Sequence, residues 1–456
     1  MKIKSIFTSF SSFLYLFILI LFWGIIFLPK YSNNPLCWDD LHLIRVYSSQ
    51  ELKLILTSSW DPDGIETISY RPIAGLLWHF QALVFRENTM YHRIFGLFLL
   101  FSVFNILILV LKQLSVPKIQ IWFTLALLIF SKIFIILAIW VTLYQIVLSY
   151  IFLLLSVLFI IKADRSRFLI NTIFAIIFFI ASLLTREEGY MLPILLLFIV
   201  KFTDIISNKK NGYIISGLLI FFIAIHIFHN NSLVTSQYEE GSGFLHLMKR
   251  FWSYKGTTAY FIVSTILPGG IFSHGLTDNL LKYSWIFILL IFSWKFFIKG
   301  DYKKIFLFAS AIIICSLPAF HTPRFFGILL PSIIAYSIVS YTIFSYFKWQ
   351  SLFRQFILVV ILILPILAGY SRSLSVTRTF DPNSVHILAH NAKLIYGGYG
   401  KKATIPKNRR LENEHQLQQL GINSEFNLDS LLIIHLKGNH SPNKNINFPD
   451  YKVTDP

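Results

Sequence analysis

Two adjacent carboxylates stand in Cys37-Trp38-Asp39-Asp40-Leu41-His42, directly after a first long apolar block. A carboxylate at a membrane surface is costly unless it stays solvated, is paired or does chemistry. Within hydrogen-bond reach of a hydroxyl, it can act as a general base. Arginine is the natural complement, because its planar fork grips phosphate bidentately. Arg71 in Tyr70-Arg71-Pro72, Arg186 in Arg186-Glu187-Glu188-Gly189, and Arg324 in Pro323-Arg324-Phe325-Phe326 are the candidates. Together these residue types fit an enzyme acting on a lipid-carried substrate at one membrane face.

These residues are embedded in membrane-grade hydrophobe. The 456 residues are 55% hydrophobic and 14% charged, against about 25% charged in soluble domains. The apolar residues fall in continuous blocks of roughly 16 to 22, enough to cross the hydrocarbon layer as helix. Continuity, rather than alternation, selects helices over a barrel. The spacing predicts about eleven spans, near 8–28, 92–112, 119–136, 143–161, 168–185, 191–206, 213–229, 283–299, 304–320, 325–346 and 354–370. The first block is read as a retained span, not a signal peptide, because no small-residue cleavage site follows it.

Lys2 and Lys4 place the N-terminus in the cytoplasm. Alternation then puts inside the loops Lys112 to Lys118, 162–167, 208–210, Lys299 to Lys304 and Lys348 to Arg354, all of them basic. This agrees with the positive-inside rule. The net charge of +18 is largely explained by these loops, and no basic-aromatic nucleic-acid module is present. The outside receives 31–91, a loop near 137–142, 186–190, 230–282, 321–324 and the tail. Residues 257–273 are apolar but broken by Pro268-Gly269-Gly270, so they read as interfacial or re-entrant.

Loop 31–91 carries its own helix signals. Ser48 and Glu51 fit a capping box, and Pro72 suits the first turn of a second helix. Ile73, Leu76, Leu77, Phe80, Leu83 and Val84 repeat at helical spacing, which predicts an interfacial helix packing on the bundle. The tail 371–456 loses the apolar blocks and reads as a small extracytoplasmic domain or appendage. Only Cys37 and Cys315 occur, so neither a disulfide framework nor a cysteine metal site follows.

The order of these features resembles the GT-C glycosyltransferases, and within them the protein O-mannosyltransferase branch. Trp38-Asp39-Asp40 looks like the acidic motif of the first outer loop. Tyr70-Arg71-Pro72 with Tyr91-His92 resembles a "YRP … YH" pattern, Arg186-Glu187-Glu188-Gly189 a "KE-G" motif, and Pro323 to Ser332 an "ERYLYLPS" motif. The match departs at Arg186 for Lys and at Pro323 for the acid, and no tetratricopeptide repeats follow.

The resemblance implies a domain over 1–370 that moves a mannose-like sugar from a polyprenyl-phosphate donor to a protein or glycan hydroxyl, with inversion. It implies Asp39 as base, with Asp40 orienting the acceptor or tuning Asp39. Arg71, Arg186 and Arg324 would grip the leaving phosphate, with Glu187 positioning an arginine and Tyr70, His42 and His92 at the donor. No cofactor is assigned, although Asp39, Asp40 and His42 together leave a divalent metal open; a monophosphate donor has less need of one. A bacterial inner membrane is the expected location.

Plainer readings compete. Asp39-Asp40 caps a helix or hydrates a loop, Arg71 pairs with Asp61 or Glu66, Arg186-Glu187 is a surface ion pair, Arg324 anchors at the interface, and His92 is merely packed. At the level of function, a membrane glycan polymerase or ligase of another fold, and a flippase or transporter, compete with the glycosyltransferase.

Overall fold

The computed structural model describes residues 24, 40, 43–44, 46–58, 70–86, 88–129, 134, 137–138, 140–202, 206–233 and 310. The expected first span, apart from helical Gly24, and everything expected beyond 233, apart from helical Ser310, lie outside the described residues. So do segment 257–273 and the tail boundary at 370. The regular elements among the described residues are all helices, without strands: α1 (Ser49–Thr57), α2 (Pro72–Phe85), α3 (Thr89–Gln113), α4 (Lys118–Ile129), a 3-10 turn (Val141–Leu143), α5 (Tyr144–Arg165), α6 (Phe168–Thr185), a second 3-10 turn (Glu187–Tyr190), α7 (Met191–Phe202) and α8 (Lys209–Leu233).

Four stretches among the described residues are long and apolar enough to cross a membrane: Thr89–Gln113, Val141–Arg165, Phe168–Thr185 and Lys209–His229. They match the spans expected at 92–112, 143–161, 168–185 and 213–229. Outward-facing side chains agree with a lipid surround. On α6, Leu169, Ile170, Ile173, Phe174 and Ile177 form one exposed stripe, which water would penalise heavily and hydrocarbon would not. The chain is a membrane protein. α4 and α7 are shorter apolar helices than the spans expected at 119–136 and 191–206.

The described residues fall into two units, one within Met1–Phe98 and Leu137–Gln145, the other within Leu99–Ile136 and Ile146–Ser373. In the second unit, α5 and α6 form an antiparallel hairpin. Ser149 Oγ lies 2.9 Å from Ser182 Oγ, Phe152 stacks on Phe178, Ser156 Oγ donates to Ala175 O at 2.8 Å, and Phe159 stacks on Phe174. Each pair adds to nearly the same residue sum, which is the register of a hairpin turning at Ser166-Arg167. Without water to compete, small residues let the helices approach and their hydroxyls tie them. At the basic end, Asp164 takes Ser207 N at 3.0 Å, Ser207 Oγ at 2.6 Å and Asn208 N at 2.8 Å, fixing the entry into α8. Arg165 donates to the Gln113 carbonyl at 2.6 Å, so this rim is a hydrogen-bonded network as well as a positive one.

The described helices α1 and α2, from segment 31–91, belong to the first unit. Ser48 and Glu51 form the capping box the sequence predicts, with Ser48 N to Glu51 Oε2 at 2.7 Å and Glu51 N to Ser48 Oγ at 3.3 Å. α1 packs on α2 where Gly75 meets buried Ile55; a Cβ at Gly75 would sit 2.9 Å from Ile55 Cγ2. Pro72 opens α2 as expected.

α2 turns most of its apolar stripe away from the protein, as a helix lying in the membrane interface does. Leu76, Phe80, Leu83 and Val84 face outward, while Ala74, Gly75, Leu77, Trp78, Gln81 and Ala82 are buried. Among the apolar stripe, only Leu77 is buried. The reason is the solvent: in a membrane protein the larger hydrophobes serve lipid, and small or polar residues serve the protein contact.

His79 joins α2 to the segment before α1. Its Nδ1 accepts the Tyr47 N–H at 2.9 Å, and the rings stack at 5.8 Å. Burial holds its pKa below the usual histidine value, against an opposing pull from Glu51. The neutral ring is therefore the folded form. Its stabilisation is full above the unfolded pKa of about 6.5 and is lost as pH falls through the lower folded value. Between about pH 7.5 and about pH 5, wild type should lose roughly 2–4 °C more in Tm than His79→Gln, whose amide oxygen still accepts. Parallel pH profiles in detergent would refute this role.

Candidate functional site

The first unit brings together two segments that are far apart in sequence, one around Asp40 and one at 140–145. Asp40 is 2% exposed. Its Oδ1 accepts the backbone N–H of Thr142 at 2.7 Å, across 102 residues. Thr142 sits in the 3-10 turn that opens the helical stretch Val141–Arg165. The first N–H groups of a helix have no partner within it and carry partial positive charge. Asp40 thus caps a membrane helix from a distant loop. Trp78 of α2 completes the junction, since its Nε1–H donates to Thr142 O at 3.2 Å. One residue is gripped from both sides, by the acidic loop and by α2.

Two residues that the sequence reading did not select are tied to this junction, Tyr144 by its reach to Asp40 and Arg93 by its reach to Tyr144. Tyr144 is fully buried, donates through its hydroxyl to Ala138 O at 3.1 Å, and lies within electrostatic reach of both Asp40 and Arg93. Arg93 is 3% exposed. A guanidinium so deeply placed is rare without an anionic partner, and Asp40 and Arg93 share the Tyr144 phenol as a common neighbour. A sequence signal existed. Arg93 directly follows Tyr91-His92, and a charge within the first turn or two of a spanning helix is a functional candidate by default.

The other candidates are distributed as follows. Tyr70 donates its hydroxyl to Leu56 O at 2.7 Å, strapping α1 to the start of α2. Arg71 is the residue before α2, half-buried, and its carbonyl accepts Gly75 N at 3.2 Å. His92 is fully buried. With the proton on Nε2 it donates to Arg86 O at 3.0 Å, and its ring meets Phe85 edge-on at 5.2 Å. Arg86 has φ 48° and ψ −128°, a conformation suited to glycine. Such a residue costs on the order of 1–3 kcal/mol, and His92 is the side chain that holds it.

Arg186 belongs to the second unit, half-buried between α6 and the turn Glu187–Tyr190, with its N–H bonded to Ser182 O at 2.8 Å. Glu187 opens that turn. In the same unit Tyr190 Oη lies 2.7 Å from His226 Nδ1. Asp39, His42 and Arg324 lie outside the described residues. Among the described residues, no group of three or more His, Cys, Asp or Glu could hold a metal ion.

The arrangement can fix the segment of Asp40 against a helix terminus and keep a carboxylate and a guanidinium out of water, both within electrostatic reach of a buried phenol. No protein-family model, curated protein or solved structure matches the chain.

Proposed function

We propose that the chain is an integral-membrane glycosyltransferase of the GT-C type, with about eleven spans and its N-terminus in the cytoplasm. It would transfer a mannose-like sugar from a polyprenyl-phosphate carrier to a hydroxyl of a protein or glycan. The reaction occurs at the extracytoplasmic face of a bacterial inner membrane, with a cytoplasmic N-terminus and an extracytoplasmic tail.

One observation carries the reading: Asp40, in the acidic pair of segment 31–91, is buried and pinned to Thr142, and both it and Arg93 lie within electrostatic reach of Tyr144. Of the plainer readings, a hydrated loop would stay in water, whereas helix capping is met by the Asp40–Thr142 bond; the enzyme reading adds to that cap the neighbouring Asp39. Half of the pair has been desolvated, at a cost that the cap offsets.

In the proposed reaction the acceptor oxygen attacks the anomeric carbon as the carbon–oxygen bond to the carrier phosphate breaks. The electron pair leaves on the phosphate, and the hydroxyl proton passes to Asp39. Asp40 is then a positioning residue: it fixes the loop that carries Asp39. Arg71, Arg186 and Arg324 are the proposed cations for the developing phosphate charge, with Arg93 added from the geometry.

The test is sugar transfer from the cell's own polyprenyl-phosphate donors in membranes carrying wild type or Asp39→Asn at matched protein levels. A loss of about 100-fold or more is expected, with donor still retained. Unchanged transfer would remove Asp39 as the base.

A further inference from the structure

Gln81 is fully buried, and neither its amide nitrogen nor its amide oxygen has a hydrogen-bond partner among the described residues. The Thr142 hydroxyl and the Gln145 amide oxygen share that condition, at 1% and 5% exposure. All three belong to the first unit. They are also linked through the junction described above. Trp78 and Thr142 are joined by a hydrogen bond. Gln81 lies one helical turn beyond Trp78 on α2, and Gln145 one turn beyond Thr142 at the start of α5, so each shares a face with a residue of that bond.

Buried polar groups are nearly always paired, and each one left unpaired is destabilising. On α2 the cost is conspicuous, because Gln81 sits among Ala74, Gly75, Leu77, Trp78 and Ala82 on the buried face. A leucine there would remove the penalty. We infer that Gln81, Thr142 and Gln145 form a subsite that reads the hydroxyl groups of a neutral sugar beside Asp40.

The chemistry fits this ligand better than an ion. An amide both donates and accepts, and so does a hydroxyl; a pyranose hydroxyl does the same. The set carries no charge, so it gives no special purchase on phosphate or a cation, which would favour arginine or carboxylate. This inference rests on the glycosyltransferase reading and adds to it the residues that distinguish one sugar from its epimer.

The experiment uses the purified full chain in detergent. The probes are short-chain polyprenyl phosphate, bare or carrying mannose, glucose or galactose, read by ligand-induced thermal shift. Wild type should prefer one sugar by about tenfold or more. Gln81→Leu should reduce that preference to within about threefold, keep the response to bare polyprenyl phosphate, and show an unliganded Tm no lower than wild type. Gln145→Leu is the second variant, with the same expectation.

Retained sugar ranking in both variants overturns the subsite while leaving the glycosyltransferase reading intact. So does a fall in unliganded Tm in both, since that would mean the amides have structural partners. A wild type that ignores every polyprenyl phosphate probe overturns the underlying reading as well.

Discussion

Gly96→Ala should destabilise the protein by about 3 kcal/mol, although the same change on an exposed helix position stabilises by about 1 kcal/mol. A Cβ at Gly96 would lie 2.1 Å from Tyr144 Cζ and 2.3 Å from its hydroxyl oxygen. The phenol cannot easily yield. It is fully buried, its hydroxyl is bonded to Ala138 O, and Phe95 flanks the ring at 6.5 Å. Relief therefore requires α3 to withdraw from the start of α5, at the point where Asp40 and Arg93 meet Tyr144 electrostatically. Chemical or thermal unfolding in detergent reads the effect. Tyr144→Leu in the Gly96→Ala background should recover much of the loss, since atoms in direct contact couple strongly in such cycles. A neutral or stabilising Gly96→Ala would show that the two helices do not approach as closely as the structure has them.

Much of this fold was legible because its signals are local. Ser48 and Glu51 are three residues apart and needed no tertiary knowledge to be read as a capping box. The spans at 92–112, 143–161 and 168–185 follow from length and hydropathy, which is the strongest constraint a membrane imposes. The basic loop 162–167 was readable as a rim, but its partners were not: Asp164 reaches Ser207 and Asn208, and no pattern in the sequence pairs those positions.

Which residues of α2 meet the protein was not legible for a related reason. Periodicity finds the large apolar residues, and in water those face the protein. In lipid the rule loosens, so Leu76, Phe80, Leu83 and Val84 turn outward and the small residues pack. The candidate site shows the same division. The acidic pair announced itself by its cost near a membrane. Thr142, Tyr144 and Gln145 did not, because one threonine, one tyrosine and one glutamine at the end of an apolar run look like ordinary interfacial residues. Only the meeting of loop 31–91 with the segment 137–145 gives them a role, and the two are separated by a full hairpin of apolar chain.

That meeting yields the second large effect. Asp40→Ala should cost about 3 kcal/mol of stability, roughly a 100-fold shift in the unfolding equilibrium. It leaves the Thr142 N–H without its acceptor, now satisfied at 2.7 Å, and removes the carboxylate from the neighbourhood of buried Arg93. Asp40→Asn separates these two losses. The amide oxygen can still cap Thr142, so the variant should lose less, about 1–2 kcal/mol, and what it does lose measures the charge. Adding Arg93→Met to Asp40→Asn should then restore stability, because replacing both members of a buried charged set by neutral groups is far less costly than removing one. If Asp40→Asn matches wild type while Asp40→Ala falls, and adding Arg93→Met gains nothing, charge at Asp40 is irrelevant and the residue is a backbone cap alone. If Asp40→Asn loses part of what Asp40→Ala loses and the double variant recovers it, the acidic loop is held by charge as well as by a hydrogen bond. The residue next to Asp40 in sequence, the proposed base, then owes its placement to an anchor that can be weakened stepwise and compared with transfer at each step.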